Sequence, residues 1–401
     1  MSERLIIVGA SCRAAAESAV RSGFRAWCID QFGDEDLRAC AEHVEVVSRW
    51  PDGILDVIPK IPPGTFVITG ALENAPQVLA RLRDRLPFAG CDVDAMRALR
   101  DPLKLQQILQ QAGLSALTVA LREPSSSSEI RWLKKPLRSA AGFHICRFNS
   151  EGQEPAGSSS GSKPRFYFQE FSLGRSLSGL YLSDGERCQL LGLTEQLIGS
   201  EAGADAFRYG GSIGPLTNRE VSPQVFETAE SIGQALVEAS GCRGLFGADL
   251  LWDEQAERLS VCEVNPRYTA SAEVIERATE APLMRWHIAA CRGERTVAEP
   301  CKPSGANTTF VVEPADFHWA LDGADSQGTL HGKLICFAQE EFPATALNRL
   351  RGEVQMADIP HADQVIPAGH PICTVIARGE TADLTREALL EAVSRIYDAA
   401  Q

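Results

Sequence analysis

The chain has 401 residues, of which 44% are hydrophobic and 23% charged, a composition typical of a globular protein with two or three domains. Its formal net charge is -14 and it has no long basic run, which argues against non-specific binding to nucleic acid or to a membrane surface. No apolar stretch is long enough to span a bilayer, and the apolar run at residues 5–10 is too short for a secretory signal. The twelve cysteines are scattered and form no Cys-x-x-Cys pair, which favours reduced thiols in a cytoplasmic protein over a zinc site or a disulfide scaffold.

The first ninety residues predict a parallel α/β layer. A short apolar run at residues 5–8 leads into a helical pattern, and a second apolar run follows at residues 26–29. This order is typical of a βαβ unit with buried parallel strands. Two further strands are expected at residues 44–47 and 66–69. We therefore predict an open, Rossmann-like domain over residues 1–90.

Two strand ends of this domain carry candidate substrate-binding residues. Gly9 follows the first strand, but the Gly-x-Gly-x-x-Gly pattern is absent, so a tight turn is favoured over dinucleotide binding. Ser11 would still border a pocket at the carboxyl ends of the strands. Glu73, beyond the fourth strand, fits a solvated loop acid and a substrate-binding residue equally well. Asn74 is predicted to cap the helix that follows.

The middle of the chain contains lysines in two contexts. Asp101 is predicted to cap a helix with Lys104 in its first turn, and a surface lysine is the simpler interpretation of that residue alone. A predicted strand ends in Lys134 and Lys135 and is followed by a turn of small residues, 137–142. A lysine strand followed by such a turn can lay backbone N–H groups over phosphates.

A small antiparallel layer is expected over residues 130–195. It includes a strand at residues 165–171 and ends in a hairpin. Arg208 and Gly211 lie in a later loop that combines cationic, aromatic and flexible groups. An amphipathic helix is then predicted at residues 223–239.

Residues 244–267 predict a hairpin with an acidic face. Asp249 lies on the first strand, whereas Glu263 and Asn265 lie two residues apart on the second and therefore share a face. Two carboxylates and an amide oxygen around one small volume are ligands that suit Mg²⁺. Arg267, two residues further on, could stabilise a phosphate or an oxyanion. The simpler alternative is a solvated face of an edge hairpin.

The C-terminal part is predicted to be rich in β-structure. Strands are expected at residues 308–312, 334–337 and 372–377. An amphipathic helix at residues 384–399 is expected to close the chain.

Taken together, these pieces resemble the ATP-grasp superfamily. The order includes a Rossmann-like domain, a lysine-bearing helix, a lysine strand with a small-residue loop, a Gln-Glu-Phe strand, and an Asp…Glu-x-Asn-Pro-Arg hairpin. The resemblance implies an α/β fold (α+β overall) with a Rossmann-like N-terminal domain at residues 1–90. It further implies antiparallel α+β ATP-grasp lobes at residues 91–300, with a mobile lid at 130–195, and a β-rich C-terminal lobe at 301–401. Members of this shape are ligases that use ATP to convert a carboxylate to an acyl phosphate, which a nucleophile such as an amine then attacks.

The resemblance also implies a nucleotide site. Lys104 and Lys135 match the lysines that contact the nucleotide phosphates, with Lys134 as the alternative if the register is off by one. Glu170 and Phe171 match the hinge strand that contacts the adenine edge, Phe171 through its backbone.

Two positions in this nucleotide site depart from the superfamily. Members place an acidic ribose-binding residue shortly after the hinge, and the aligned residue here is Ser176. The phosphate loop, which includes Ser139, has fewer glycines than usual. Both serines are nevertheless assigned to the nucleotide site.

In the hairpin, Asp249, Glu263 and Asn265 match the ligands of Mg²⁺, with Mn²⁺ as an alternative ion. Arg267 matches the catalytic arginine that stabilises the acyl phosphate and its tetrahedral successor.

Within the superfamily the chain resembles the archaeal-type tyramine–glutamate ligase group of methanofuran biosynthesis. The similarity lies in segments 69–74, 169–174 and 208–211 and in the C-terminal segments 357–360 and 369–375. It implies the addition of glutamate to a tyramine- or tyrosine-like amine in one-carbon cofactor biosynthesis. The substrate-binding residues expected on this basis are Ser11, Glu73, Arg208 and Gly211.

Two alternatives stay open at this point. One is a biotin-carboxylase-like enzyme that uses bicarbonate as its carboxylate, and the other is an ATP-binding regulatory protein without catalysis. The expected partners are ATP, a divalent cation and small-molecule carboxylate and amine substrates, with no nucleic acid and no membrane. A homodimer is a common arrangement in the superfamily.

Overall fold

The computed structural model describes residues 2–125, 130–148, 165–199, 203–294 and 329–400. The predicted strand at residues 308–312 lies outside the described residues. The helices are α1 (Arg13–Arg21), α2 (Glu35–Cys40), α3 (Ile54–Val57), α4 (Pro76–Arg83), α5 (Val93–Arg100), α6 (Pro102–Gln111), α7 (Pro223–Ser240), α8 (Ala270–Thr279), α9 (Leu283–Arg292) and α10 (Ala382–Asp398). The strands are β1 (Arg4–Val8), β2 (Arg25–Asp30), β3 (His43–Val46), β4 (Thr65–Ile68), β5 (Val119–Ala120), β6 (Trp132–Pro136), β7 (Cys146–Phe148), β8 (Phe166–Glu170), β9 (Arg175–Asp184), β10 (Cys188–Ile198), β11 (Tyr209–Gly214), β12 (Arg243–Asp253), β13 (Arg258–Asn265), β14 (Leu330–Phe337), β15 (Phe342–Pro343), β16 (Met356–Ala357), β17 (Val365–Ile366) and β18 (Pro371–Gly379).

The N-terminal domain contains a parallel sheet with strand order β3-β2-β1-β4. Its central strand is buried on both faces: Ile6 and Val8 pack into one hydrophobic cluster, whereas Leu5 and Ile7 pack into another. This explains why the sequence shows a continuous apolar run here rather than an alternating one. The predicted Rossmann-like arrangement is present.

A separate four-stranded sheet has the order β5-β8-β6-β7. The sequence analysis expected one antiparallel layer, the proposed lid, over residues 130–195, whereas the structure divides the strands of this range between two sheets. Strands β9 and β10 pair with each other, but β9 also pairs with β12 of the hairpin, which places both strands in the central sheet. Continuous pairing with β12 fixes their position, and this long-range contact is not visible in the local sequence pattern.

The central sheet has eight strands in the order β13-β12-β9-β10-β11-β14-β18-β16. The C-terminal strands therefore extend the same sheet that contains the hairpin. Helix α10 covers them, and its Leu389 and Ile396 pack with Leu334 and Val375 of β14 and β18. The predicted closing helix is present.

Two helices that position the site begin and end where the sequence indicates. Asp101 accepts hydrogen bonds from the backbone N–H groups of Leu103 and Lys104 and so caps α6. Helix α7 ends at Gly241, whose φ of 66° is readily adopted by glycine. Among the described helices, none is long and apolar enough to cross a membrane.

Candidate active site

The acidic hairpin forms as the sequence predicts. Strands β12 and β13 pair antiparallel, with Asp249 directly opposite Glu263 and Gly247 opposite Asn265. The pairing register shifts just after Asp249. The two carboxylates and the amide are thus brought together by adjacent strands at the edge of the central sheet.

Asp249 is held by two side-chain amides. Gln196 Nε2 donates to Asp249 Oδ1 at 2.8 Å, and Asn265 Nδ2 donates to Oδ2 at 3.2 Å. Burial and the neighbouring Glu263 raise the pKa of Asp249 to about 6. Two carboxylates in a buried site repel each other, and a cation between them would relieve that repulsion.

Glu263 already faces two cations of the protein. Arg100 Nη1 donates a hydrogen bond to Glu263 Oε1. Although burial opposes ionisation of Glu263, the charges of Arg100 and Lys135 lower its pKa below the ordinary value. Glu263 is therefore ionised at neutral pH.

The donor set fits a divalent cation with one adjustment. Two carboxylates and one amide oxygen are oxygen ligands of the kind that Mg²⁺ prefers. Asn265 now turns its NH₂ group to Asp249, and its Oδ1 accepts from Arg267 Nη2 at 3.2 Å. A rotated amide would present Oδ1 to the ion instead, and amide orientation is an assignment of the hydrogen-bond network. Within the described ranges no cluster of three or more His, Cys, Asp or Glu is placed for a metal, so Asn265 is needed as the third ligand.

Lys134 and Lys135 lie on opposite faces of β6. Lys135 is buried, and its Nζ donates to Gln169 Oε1 at 2.9 Å. Burial opposes its charge, but Tyr167 and Glu263 outweigh this and raise its pKa. Lys134 instead lies 4.6 Å from the centroid of the Phe166 ring. The structure therefore points Lys135 rather than Lys134 towards the hairpin.

Lys104 lies on the protein surface, whereas Arg100, for which the sequence analysis raised no expectation, contacts the hairpin. Lys104 is exposed on the first turn of α6, and no side-chain hydrogen bond or ion pair of Lys104 occurs among the described residues. Arg100, in the last turn of α5, enters the site instead. Its Nη2 lies 3.3 Å from Asn74 Oδ1 and 3.3 Å from the carbonyl oxygen of Ser139. The cation nearest to Glu263 from this region is thus an arginine.

The predicted hinge strand ends beside two arginines. The Glu170 carboxylate accepts two hydrogen bonds from Thr118, one from the backbone N–H at 3.0 Å and one from the hydroxyl at 2.8 Å. The guanidinium groups of Arg131 and Arg147 lie 5.1 and 4.6 Å from the centroid of the Phe171 ring. This leaves an aromatic and cationic surface next to the hinge.

The small-residue loop is anchored at both sides. The Ser139 carbonyl accepts from Asn74 Nδ2 at 2.9 Å, which ties the loop to the N-terminal domain, so Asn74 does not cap α4 as predicted. The Ala141 carbonyl accepts from the Tyr209 backbone N–H at 3.2 Å. Gly142 has φ 78°, and a Cβ there would lie 1.9 Å from the carbonyl oxygen of Phe207. The loop has few glycines, but at position 142 a glycine is required.

Ser176 is connected to the acidic hairpin. Its hydroxyl donates to Gln196 Oε1 at 2.9 Å, and Gln196 in turn donates to Asp249. Ser176, which aligns with the acidic residue of the superfamily, thus orients the Gln196 amide, and that amide holds the Asp249 carboxylate.

Arg267 links the hairpin to the N-terminal domain. Its Nε donates to Glu73 Oε1 at 2.8 Å, and its Nη2 donates to Asn265. The Glu73 side chain is completely buried, and its second oxygen, Oε2, has no hydrogen-bond partner. Arg267 thus contacts both a candidate metal ligand and a buried acid with one unpartnered oxygen.

The other predicted substrate residues are Ser11, Arg208 and Gly211. Ser11 is exposed, and its carbonyl accepts from Thr69 Oγ1 at 2.9 Å. Arg208 stacks at 4.3 Å on each of the Phe143 and Phe337 rings, where it joins the small-residue loop to the C-terminal lobe. Gly211 is needed for sheet packing, because a Cβ would lie 2.1 Å from the carbonyl oxygen of Lys333.

Three residues of the site were missed from the sequence: Arg100, Gln169 and Gln196. Arg100 directly precedes Asp101, the cap of α6. This position could have suggested that the Arg100 side chain points back towards the start of α6. Gln169 and Gln196 are neutral amides on strands, and nothing in their local pattern distinguishes them from solvated residues. Their role follows only from the contacts with Lys135 and Asp249.

Comparison with known proteins identifies relatives of this chain in sequence and in fold. Residues 99–271 match the family described as the ATP-grasp domain. A curated D-alanine–D-alanine ligase from Sinorhizobium fredii (strain NBRC 101917 / NGR234) is 24% identical over 280 residues, covering 65% of this chain and 89% of that protein.

Solved structures show the same fold over the whole chain. A carboxyaminoimidazole ribonucleotide synthase from Aspergillus clavatus, complexed with ATP, has a TM-score of 0.68 at 13% identity and covers 100% of this chain and 99% of its own. A pyruvate carboxylase from Rhizobium etli has a TM-score of 0.68 at 14% identity, covering 100% of this chain and 37% of its own. The predicted fold and the prediction of an ATP-using enzyme are confirmed.

Proposed function

We propose that this ATP-grasp enzyme, an ATP-dependent ligase, joins a small carboxylate to an amine and forms the amide through an acyl phosphate. The observation that carries the proposal is the position of Arg267. It is hydrogen-bonded to Asn265 in the acidic hairpin and to Glu73 at the carboxyl edge of the N-terminal sheet. A cation between a nucleotide compartment and a substrate compartment is where an acyl phosphate and its tetrahedral successor need charge stabilisation.

On the nucleotide side, Lys135 and Arg100 supply positive charge to the phosphates, with Ser139 in the loop above them. Lys104 stays a candidate for a phosphate contact. Asp249, Glu263 and Asn265 hold Mg²⁺ or Mn²⁺, which when bound neutralises charge on the phosphates. The hinge residues Glu170 and Phe171, together with Ser176, position the nucleoside. No side-chain nucleophile is required, because positioning and charge stabilisation carry most of the rate.

On the substrate side, Glu73 receives the amine. Its Oε1 is taken by Arg267, whereas Oε2 is buried and unpartnered. A buried acceptor without a donor is costly to the free protein and is satisfied by an N–H group of a bound amine. The amine is thereby oriented next to Arg267, where the acyl phosphate forms. Ser11 lines the exposed rim of this compartment.

For the substrates themselves, we propose glutamate as the carboxylate and a tyramine- or tyrosine-like amine as the nucleophile. This rests on the segments shared with the tyramine–glutamate ligase group, in particular residues 69–74, which contain Glu73. The proposal also includes a homodimer, which the mass of the protein in solution tests.

The decisive experiment measures phosphate release over a panel of carboxylate and amine pairs, with glutamate plus tyramine or tyrosine first. We expect release that requires both partners, and a product whose mass equals that of the amide. Glu263→Ala is expected to reduce turnover by roughly a hundredfold or more, because a preorganised charge is removed. Glu254→Ala, in the exposed turn of the same hairpin, is the matched control. Near-normal turnover in Glu263→Ala would refute the site assignment.

A second candidate function is a carboxylase that uses bicarbonate. The similarity in fold to a carboxyaminoimidazole ribonucleotide synthase over the entire chain favours it. ADP release that depends on bicarbonate and needs no amino acid would identify this activity and exclude the amide-forming one.

A further inference from the structure

The segment 207–209, which leads into β11, contacts the small-residue loop (residues 137–142) and its neighbour along its whole length. The Phe207 carbonyl oxygen lies against Gly142, where a Cβ would be only 1.9 Å from it. The Tyr209 backbone N–H donates to the Ala141 carbonyl at 3.2 Å. The residue between these two contacts is Arg208.

Arg208 bridges the loop and the C-terminal lobe. Its guanidinium lies 4.3 Å from the centroid of the Phe143 ring, which directly follows the loop, and 4.3 Å from that of Phe337 at the end of β14. Arg208 Nη1 also donates to the Gly369 carbonyl at 3.1 Å. Phe337 is only 3% exposed and is fixed in the lobe, whereas Phe143 is 46% exposed. The stacked guanidinium therefore attaches a mobile-sided ring to a buried one.

The backbone of the loop needs support from outside. Ala141, Gly142 and His144 have positive φ values of 53°, 78° and 60°, and Phe207 on the facing segment has φ 66°. Glycine adopts such a conformation readily, but alanine, histidine and phenylalanine do so at a cost. Residues in costly conformations persist where their surroundings hold them. The shape of the loop is thus set by its contacts with other segments.

On its other side the loop is fixed to the N-terminal domain. Asn74 Nδ2 donates to the Ser139 carbonyl at 2.9 Å, and Arg100 Nη2 lies 3.3 Å from the same oxygen. Arg100 is also hydrogen-bonded to Glu263, so this end of the loop lies next to the acidic hairpin. Arg208 provides the corresponding attachment on the side of the C-terminal lobe.

We propose that Arg208 is a positioning residue of the nucleotide site. By stacking between Phe143 and Phe337, it holds the small-residue loop in the conformation in which backbone N–H groups converge on phosphates. Arg208 acts on the nucleotide only through the loop. The inference rests on the proposed function, which places this loop at the nucleotide phosphates, but not on the identity of the carboxylate or the amine.

The first test is calorimetric titration with Mg²⁺ and a non-hydrolysable ATP analogue, which needs neither a carboxylate nor an amine. We expect the Kd for the analogue to rise roughly tenfold in Arg208→Ala, since two stacked rings and one carbonyl lose their partner. Arg219→Ala removes an exposed arginine from the loop that follows β11, and it is the matched control. Its Kd is expected to stay within about twofold of the wild-type value. An unchanged Kd in Arg208→Ala overturns the inference.

A double-mutant cycle with Phe143 tests whether Arg208 acts through the loop. Phe143→Leu removes a half-exposed ring and is expected to raise the Kd by roughly fivefold. Because both substitutions break the same contact, the double variant is expected to stay near the tenfold loss of Arg208→Ala alone. A Kd that rises by the product of the two effects, roughly fiftyfold, overturns the inference, and so does a Phe143→Leu protein that binds like the wild type.

Hydrogen exchange without nucleotide reports the position of the loop directly. In Arg208→Ala we expect faster amide exchange in residues 137–143 and unchanged exchange in α6, because the loss of support is local. Unchanged exchange in the loop overturns the inference. If exchange is faster throughout the protein, the fold of this variant is impaired, and the titration of Phe143→Leu decides instead.

Steady-state kinetics separate a positioning residue from one that binds a substrate. With the carboxylate and amine pair that supports phosphate release, we expect Arg208→Ala to raise the KM for ATP by the same factor as the Kd. The kcat and the KM values for the carboxylate and the amine should stay within about twofold. A higher KM for the carboxylate or the amine at an unchanged KM for ATP overturns the inference. If no pair supports phosphate release, the proposed function fails, and the titrations with the analogue still decide the role of Arg208.

Discussion

The Arg100 guanidinium donates a hydrogen bond to the Glu263 carboxylate, although 163 positions separate the two residues in the chain. Arg100 ends α5, Glu263 lies on β13, and the same guanidinium also reaches the Ser139 carbonyl. One side chain thus connects a helix, the acidic hairpin and the small-residue loop. Its charge favours the ionised form of Glu263, and its hydrogen bond holds the carboxylate in place.

Replacement of Arg100 should therefore impair the enzyme more than replacement of Lys104. We expect Arg100→Ala to lower kcat/KM for ATP by roughly a hundredfold, because the charge that we propose for the phosphates is removed. We expect Lys104→Ala to keep kcat/KM for ATP within about threefold of the wild-type value, since an exposed lysine contributes little. Initial rates of ADP release measure both.

Arg97→Ala provides the control for Arg100. Arg97 lies one turn earlier on the same helix and is 69% exposed, where it pairs with Asp94. A larger loss in Lys104→Ala than in Arg100→Ala would return the phosphate contact to Lys104, as the resemblance to the superfamily implies.

The single glycine that the small-residue loop requires offers a second prediction. In Gly142→Ala a new Cβ would lie 1.9 Å from the Phe207 carbonyl oxygen, so the loop must move away from the start of β11. We expect the KM for ATP to rise by roughly tenfold or more, in line with the loss of one or two charge-assisted contacts. Gly113→Ala has a similar φ, 71°, but nothing within 4 Å, and it should cost about 1 kcal/mol of stability without changing KM. Equal effects of both substitutions on KM would show that backbone strain alone is responsible.

Glu73→Gln tests the amine compartment. The glutamine oxygen can still accept from Arg267, but an NH₂ group replaces the unpartnered acceptor Oε2. We expect the KM for the amine to rise by roughly tenfold or more while the KM for ATP is unchanged, because only the amine loses its acceptor. Steady-state kinetics with each substrate varied in turn provide both constants. An amine KM that does not change would remove Glu73 from the substrate site.

The pH dependence of stability tests the environment of Asp34 without any substrate. Burial, and then the charges of Asp358, Asp30 and Asp36, raise its pKa from the ordinary value of 3.8 to about 8 in the folded protein, so the folded state binds a proton more tightly than the unfolded state. Asp34 therefore makes the protein lose stability as the pH rises from about 4 to about 8, and it has no effect below both values. Asp34→Asn should be more stable than the wild type at about pH 8.5, by roughly 1–3 kcal/mol, and nearly equal to it at about pH 4.

Urea unfolding at the two pH values measures this difference. Asp84→Asn, whose carboxylate is exposed, should show no comparable dependence. A wild-type and an Asp34→Asn protein of equal stability at both pH values would contradict the raised pKa of Asp34.

Much of the fold could be predicted from the sequence because its signals are local. The continuous apolar run of β1, the Asp101 cap and the alternation of Glu263 and Asn265 on β13 each follow from the period of one element. The acidic hairpin was predicted for the same reason, since two short strands joined by a polar turn form a local structure.

What the sequence did not predict depends on contacts between distant segments. Strand β9 belongs to the central sheet because it pairs with β12, some seventy positions later, and no local pattern encodes that choice. The Arg100 and Gln196 side chains extend into the site from other elements. The spacing of residues in the sequence does not predict such contacts. Lys104 was expected to contact the phosphates because of the resemblance to the superfamily, and in the structure it is exposed.

The eight-stranded sheet has a consequence for how this chain can be divided or rearranged. Because β14 pairs with β11, a protein that stops after α9 would leave one edge of the six-residue strand β11 unpaired. Such a fragment would contain every residue proposed for the nucleotide site, and its open strand edge would favour self-association. A gene fusion or a circular permutation that respects this architecture has to keep β14 covalently or sterically next to β11, whereas the β5-β8-β6-β7 sheet shares no strand with the others.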